Sequence, residues 1–425
     1  MIEKYYSGVI EQIYNRIGKE TRNIVMANYS NDFSIENLEV IRRYQSNEDN
    51  VFFAYSEFSY NTLVGAYEPF LDIICNMHRR FIGGSFDDFQ KECGVYYLHR
   101  QVLNSYYETG ECFREETVLL NEVAYEQRRM TMAIADMLKK LSEVKPLMIV
   151  INRFQMASKS SIETIKYLID NPCANIGIVL GVNAIVKGTD STVEVWDRIV
   201  ESLEDRSAIY YIGSAGPLKN NVKTTNDDEL YITMNFEQSI QEASNIMEFL
   251  DFEQARRGCR IIEHKLKFED AWIDEKSLRR FYMVYARTSV LLGEMSKAIE
   301  LTNEYKALIP ENDSEHYLSL YYFMKGTCYM YQGKLEKAGN SAKSAYDYAV
   351  LAEDDTLIFK AELLSVMIKM SGWYNIFFCV QDIPVSDEII EKLIKHGYRN
   401  HLAHIYIYAY DNSRDVVKQS FYDES

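Results

Sequence analysis

LMIVINRFQMASKSSIETIKYL, residues 147–168, is the stretch on which the fold turns. Leu147 to Ile151 is uniformly apolar and β-prone, and reads as a strand. An unbroken apolar strand is buried on both faces, as in a parallel sheet covered by helices on two sides. A helix over Ser160–Asn171 follows, after a short connection that begins at Asn152.

The same alternation recurs outward from this stretch. Ile176–Val182 reads as a second buried strand, and Asn23–Ala27, Val51–Tyr55 and Ala208–Ile212 as three more. Helical spacing of apolar residues marks 2–19, closed by Gly18, then about 34–44, and most of 65–142, which Gly83 and Gly84 interrupt. Strands alternating with helices give an α/β domain with a parallel sheet. From about Phe236 the strand signals stop and everything beyond is helical. The boundary is therefore expected in the polar loop Ser214–Glu229 or shortly after it, with an α/β domain over 1–228 and an all-α array over 229–425.

That array repeats itself. Ala286, Gly293, Ala298 and Tyr305 are separated by 7, 5 and 7 residues, and Gly326, Gly333, Ala338 and Ala345 keep the same spacing 40 residues later. Small residues let two antiparallel helices cross closely, with Gly333 and Ala338 expected at such a crossing, and Gly ends the first helix. Pro310 stands where a second helix would stop. A weaker third copy centres on Ser365 and Gly372, and a fourth begins near Ala403. These units resemble tetratricopeptide repeats (TPR), whose arrays bind proteins or peptides on a concave face. The last helix, with Leu402, Ile405, Tyr406 and Ala409 on one face, has no following helix to cover it. The chain is accordingly expected to be a fragment that associates as a homodimer through that face.

Composition excludes several functions. A formal net charge of −17 argues against direct nucleic-acid contact, which needs cations to neutralise phosphates. Seven scattered cysteines without a C-x-x-C pair suit reduced thiols in a cytoplasmic protein, not a disulfide frame or a zinc site. The start, MIEKYYSGVIEQIY, contains acids and is no signal peptide; no run of about 18 apolar residues suggests a membrane span. His396, His401 and His404 lack the cysteines or paired acids of a metal site and read as packed or solvated side chains.

A nucleotide-binding loop should follow the first strand as G-x-x-x-x-G-K-[ST], where glycines expose backbone N–H groups to phosphate, Lys neutralises it and the hydroxyl holds magnesium. In this register Ala27 and Asp32 replace the glycines, Phe33 replaces Lys, and Ser34 keeps the hydroxyl. The strand before Asn152 should end in an acid that positions magnesium, with a second acid to activate water. Asn152 supplies no charge and Arg153 reverses the sign. Hence no catalytic residue, cofactor or metal ligand is expected.

Leu147–Leu168 resembles the Walker B region of signal-transducing STAND-type ATPases, in which two acids, an apolar residue and Gln precede a small-polar stretch and a helix. Phe154, Gln155, Ala157 and Ser161 match that framework, and Asn152 and Arg153 depart from it. Ile178–Asn183 resembles the sensor strand, with Asn183 at the position that would face the γ-phosphate, and Ala66–Phe70 resembles the Tyr-x-Pro-Phe segment. The resemblance covers roughly residues 20–215 and implies a P-loop-NTPase-like domain that has become a pseudoenzyme. Joined to repeats, it implies a regulatory or scaffolding module of a larger signalling protein. A working ATPase governing a transcriptional or cyclic-dinucleotide output is the alternative, and a purely structural repeat scaffold a third.

Overall fold

The structure, a computed structural model, describes residues 2–29, 38–46, 50–59, 63–114, 116, 118, 120–183, 193–213, 235–268, 273–312, 314–375 and 387–412. Its first elements in chain order are α1 (Ile2–Arg16), β1 (Ile24–Tyr29), α2 (Glu39–Ser46), β2 (Phe52–Glu57), α3 (Phe70–Met77), α4 (Phe86–Glu92) and α5 (Tyr97–Thr109). They continue with α6 (Val123–Val144), β3 (Leu147–Asn152), α7 (Lys159–Asp170), β4 (Ile176–Asn183), α8 (Val193–Glu204) and β5 (Ile209–Ile212). All five strands read from the sequence pair in one parallel sheet of order β2-β3-β4-β1-β5.

Every residue of β3 and β4 is buried, which explains their unbroken apolar character. On one face α1 and α2 build a core from Tyr6, Ile10, Ile13, Val25, Ile41, Phe53, Val150 and Val179. Helix α1 comes close because β4 carries glycine on that face. A Cβ at Gly177 would lie 2.9 Å from Ile13 and Ile17, and one at Gly181 would lie 2.7 Å from Asn152 Oδ1 and collide with the Tyr6 hydroxyl.

The chain divides into two compact units, one of Met1–Arg114 with Asn121–Ala271, the other of Glu115–Leu120 with Trp272–Ser425. The division falls later than the 228/229 boundary, and all of the polar loop Ser214–Glu229 lies outside the described residues. The reason is a helical hairpin, α9 (Phe236–Glu248) and α10 (Phe252–Phe268), that is bonded into the first unit. Asn245 accepts from the Cys112 N–H and donates to the Gly110 carbonyl; Gln254 donates to the Val64 carbonyl; Asp251 accepts from the Ser160 N–H. A switch from strands to helices in the sequence is thus not the end of a compact unit.

The second unit is a helical array: α11 (Glu275–Leu291), α12 (Met295–Ala307), α13 (Ser314–Tyr331), α14 (Leu335–Leu351), α15 (Asp355–Asn375), α16 (Asp387–His396) and α17 (Arg399–Asn412), each packed on the next. Gly293 and Gly333 take positive φ, +78° and +71°, at the turns after α11 and α13. There the following N–H reaches back five residues, Glu294 to Ser289 and Lys334 to Tyr329, closing a Schellman turn. Ala298, Ala338 and Ala345 are fully buried.

Two expectations need correction. The tight crossing beside Ala338 belongs to Gly326, whose Cβ would meet Leu364 at 3.0 Å and the Ala338 carbonyl at 3.5 Å, whereas Gly333 has open space around it. Gly372 lies inside α15, not at a helix end; the turn before α15 uses Glu353 at φ 53°. Ile405 is buried against the α15–α16 side chains Phe359, Leu363 and Leu393, with Leu402 packed on the same cluster, while the Ala409 side chain lies outside those described.

Candidate functional site

The strand order selects one place for a site. The connection from β1 runs to β2 at the far edge of the sheet, whereas the connection from β4 runs the other way, past β1, to β5. In open parallel sheets such a reversal of direction between neighbouring strands marks the carboxyl ends of those strands, here β1 and β4, as the place where ligands bind. Tyr29 ends β1, Asn183 ends β4 opposite it, and Asn152 ends β3 opposite Glu57 of β2.

Period-two alternation puts Tyr29, Asn152, Gly181, Asn183 and Glu57 on the α1 face. The Tyr29 hydroxyl donates to Asn152 Oδ1 at 2.7 Å, both side chains being completely buried. Asn152 Oδ1 and the Tyr6 hydroxyl lie against Gly181 of β4, in space that any larger residue would fill. The Tyr6 ring packs edge-on to Tyr29 with centroids 6.4 Å apart. Burial holds the Tyr6 phenol well above its ordinary pKa, helped by Tyr29, Tyr55 and Glu57 nearby, so it stays neutral.

Arg153 takes a left-handed conformation, φ 54°, and its guanidinium pairs with Glu57 at 3.1 Å and donates to the Phe58 carbonyl at 3.3 Å. Tyr55 donates to the other Glu57 oxygen. The Asn183 N–H donates to Gln155 Oε1 at 3.3 Å. Sequence-marked Asn152, Arg153 and Asn183 therefore do converge on one sheet edge, while Ala27 sits within β1, fully buried; Asp32, Phe33 and Ser34 lie outside the described residues. Magnesium prefers anionic oxygens in octahedral geometry. A neutral carboxamide bonded to a buried phenol is a poor substitute, and a cation at Arg153 disfavours a second one beside it.

The Tyr67–Phe70 segment and the Ser-rich start of α7, both marked by the same resemblance, touch each other. The Tyr67 N–H donates to Ser160 Oγ at 3.0 Å, and Ser161 Oγ donates to the Glu68 carbonyl at 2.8 Å. Ser158 caps α7, accepting from the Ser161 N–H. These hydroxyls are spent on holding backbone. Beside them, Glu242 is pushed up to about 7 by burial and by the neighbouring Glu68 and Asp72.

Sequence reading missed Tyr6, Tyr29, Gly181 and Glu57. The available signal was Gly177 and Gly181, four apart in an otherwise apolar strand, which mark a close approach by another element. No protein-family model matches the chain, and no curated protein matches it either. Among the described residues, no three His, Cys, Asp or Glu side chains gather to hold a metal ion, and no helix is long and apolar enough to cross a membrane.

Proposed function

We propose that this chain is a non-catalytic signalling or scaffolding module: a degenerate STAND-type, P-loop-NTPase-like domain followed by TPR-like repeats that bind a protein or peptide. The Tyr29–Asn152 hydrogen bond carries this reading. It places a neutral, already bonded amide and a buried aromatic ring where a magnesium-nucleotide would need charge and space. Arg153, paired to Glu57, replaces the residue that would activate water. The parallel order of the sheet, whose connections reverse direction at β1 and β4, supports descent from a nucleotide-binding plan. The paired Gly293 and Gly333 turns, 40 residues apart, support the repeat assignment.

Steady-state hydrolysis of ATP and GTP is the test. No turnover above background is expected with or without magnesium. Magnesium-dependent turnover that Asn152→Ala or Ser34→Ala abolished would instead establish a working ATPase.

A further inference from the structure

The α9–α10 hairpin seats on the segment 63–68 that follows β2, and it grips three consecutive residues. A Cβ at Gly258 of α10 would lie 2.7 Å from Leu63 Cδ2, and Gln254 of α10 donates to the Val64 carbonyl at 2.9 Å. A Cβ at Gly65 would lie 2.9 Å from Oε1 of Glu242 on α9 and 3.4 Å from Glu68 Oε2, which accepts from the Gly65 N–H at 2.9 Å. Two carboxyl groups therefore border one small space, Glu68 from the body and Glu242 from the hairpin. A third acid, Asp72 of α3, acts on Glu242 from beside them, and its Oδ1 accepts from the Tyr106 hydroxyl of α5 at 3.1 Å.

Among the described residues, no Lys or Arg offsets this crowding. The other titratable groups that sense Glu242 are the Tyr106 phenol and the Cys112 thiol after α5, and burial keeps both neutral. Burial and the two acids push Glu242 up to about 7, and burial raises Glu68 as well. Asp251, at the turn of the hairpin, is a second buried acid, but it accepts from the Ser160 and Gln254 N–H groups, which favour its charged form.

We propose that Glu242 is a proton-operated latch on this joint: protonated, it lets the hairpin seat firmly on residues 63–68; ionised, it is repelled by Glu68 and Asp72 and loosens the hairpin. The proton passes to solvent, which the half-buried side chain can reach. Opening returns Glu242 to an ordinary carboxyl environment, so a rise in pH from its ordinary value of 4.5 to about 7 favours the open joint. The rest of the seat, Asn245 on Cys112 and Gly110 and Gln254 on Val64, carries no charge and keeps its bonds at any pH in this range.

Hydrogen exchange of the full chain tests this, expressed as protection factors so that the intrinsic pH dependence of exchange cancels. At about pH 8.5 the α9 amides should be less protected than those of β3 and β4, because the hairpin opens without the sheet. Their protection should rise about tenfold on lowering the pH to about 6. Glu242→Gln should remove that pH dependence, and Glu68→Gln, which relieves Glu242 of one acid, should reduce it. Equal protection of α9, β3 and β4 at every pH overturns the latch, as does α9 protection that is the same at both pH values. A tenfold change that persists in Glu242→Gln also overturns it; if that variant does not fold, an undiminished change in Glu68→Gln does so. None of these outcomes bears on nucleotide turnover, so the latch and the scaffold reading fail separately.

Discussion

Tyr29 and Asn152 are 123 residues apart in the chain and share one buried hydrogen bond. Tyr29→Phe keeps the ring and removes the hydroxyl that donates to Asn152 Oδ1, which should cost about 1 kcal/mol. Urea unfolding would read this as a lower midpoint at unchanged slope, and an unchanged midpoint would mean that the bond contributes nothing. Glu242 supplies a pH signature. Its folded-state pKa is raised from 4.5 to about 7, so the folded state keeps the proton longer than the unfolded state does. Stability from this group is complete below about pH 4.5 and is lost as the pH rises through about 7. Glu242→Gln should therefore match the parent near pH 4 and exceed it at pH 8 by an amount on the order of 3 kcal/mol. A gap of equal size at both pH values would assign the effect to packing. At this scale the missing charge at Asn152 and Arg153 was legible, because a chemistry that needs acids is visibly denied them. Tyr6 and Tyr29 were not legible as site residues, since an aromatic in an amphipathic helix or a buried strand looks like any other core residue until the strand order brings the two together.

Among the elements, the five strands were legible because their apolar runs are short, unbroken and β-prone, and the structure moves their ends by only one or two residues. The α13–α14 hairpin was half legible: its spacing of small residues marks a helix pair, but spacing does not say which glycine turns the chain and which lets helices touch. The two roles predict different substitutions. Ala338→Leu should overpack the contact with Gly326 and cost roughly 1–3 kcal/mol. Gly333→Ala, in open space but at φ +71°, should cost only the backbone strain, about 1 kcal/mol. Thermal midpoints of the two variants would separate these roles, and a larger loss at Gly333 would reverse them. The turn at Glu353 escaped notice because a residue other than glycine holds the left-handed position there. Gly372, read as the matching turn, is spent inside a helix.

For the whole molecule, the change from strands to helices in the sequence marks architecture, not compactness. Helices α9 and α10 read as array but are fastened to the α/β unit through Asn245, Asp251 and Gln254, polar contacts that no periodicity announces. In the opposite sense, Glu116 lies amid the α/β sequence and is bonded to His401 of the helical unit. At the sheet's carboxyl edge Tyr29 of β1 is bonded to Asn152 of β3, and the proposed function holds that this edge binds no metal-nucleotide. Calorimetric titration of ATP and GTP, each with and without magnesium, tests it most directly. Affinity should be weak or absent and should change by no more than about twofold on adding magnesium, because Asn152 brings no charge to the metal. Magnesium tightening nucleotide binding by about tenfold, or about 1.4 kcal/mol, and losing that effect in Asn152→Ala, would contradict the claim.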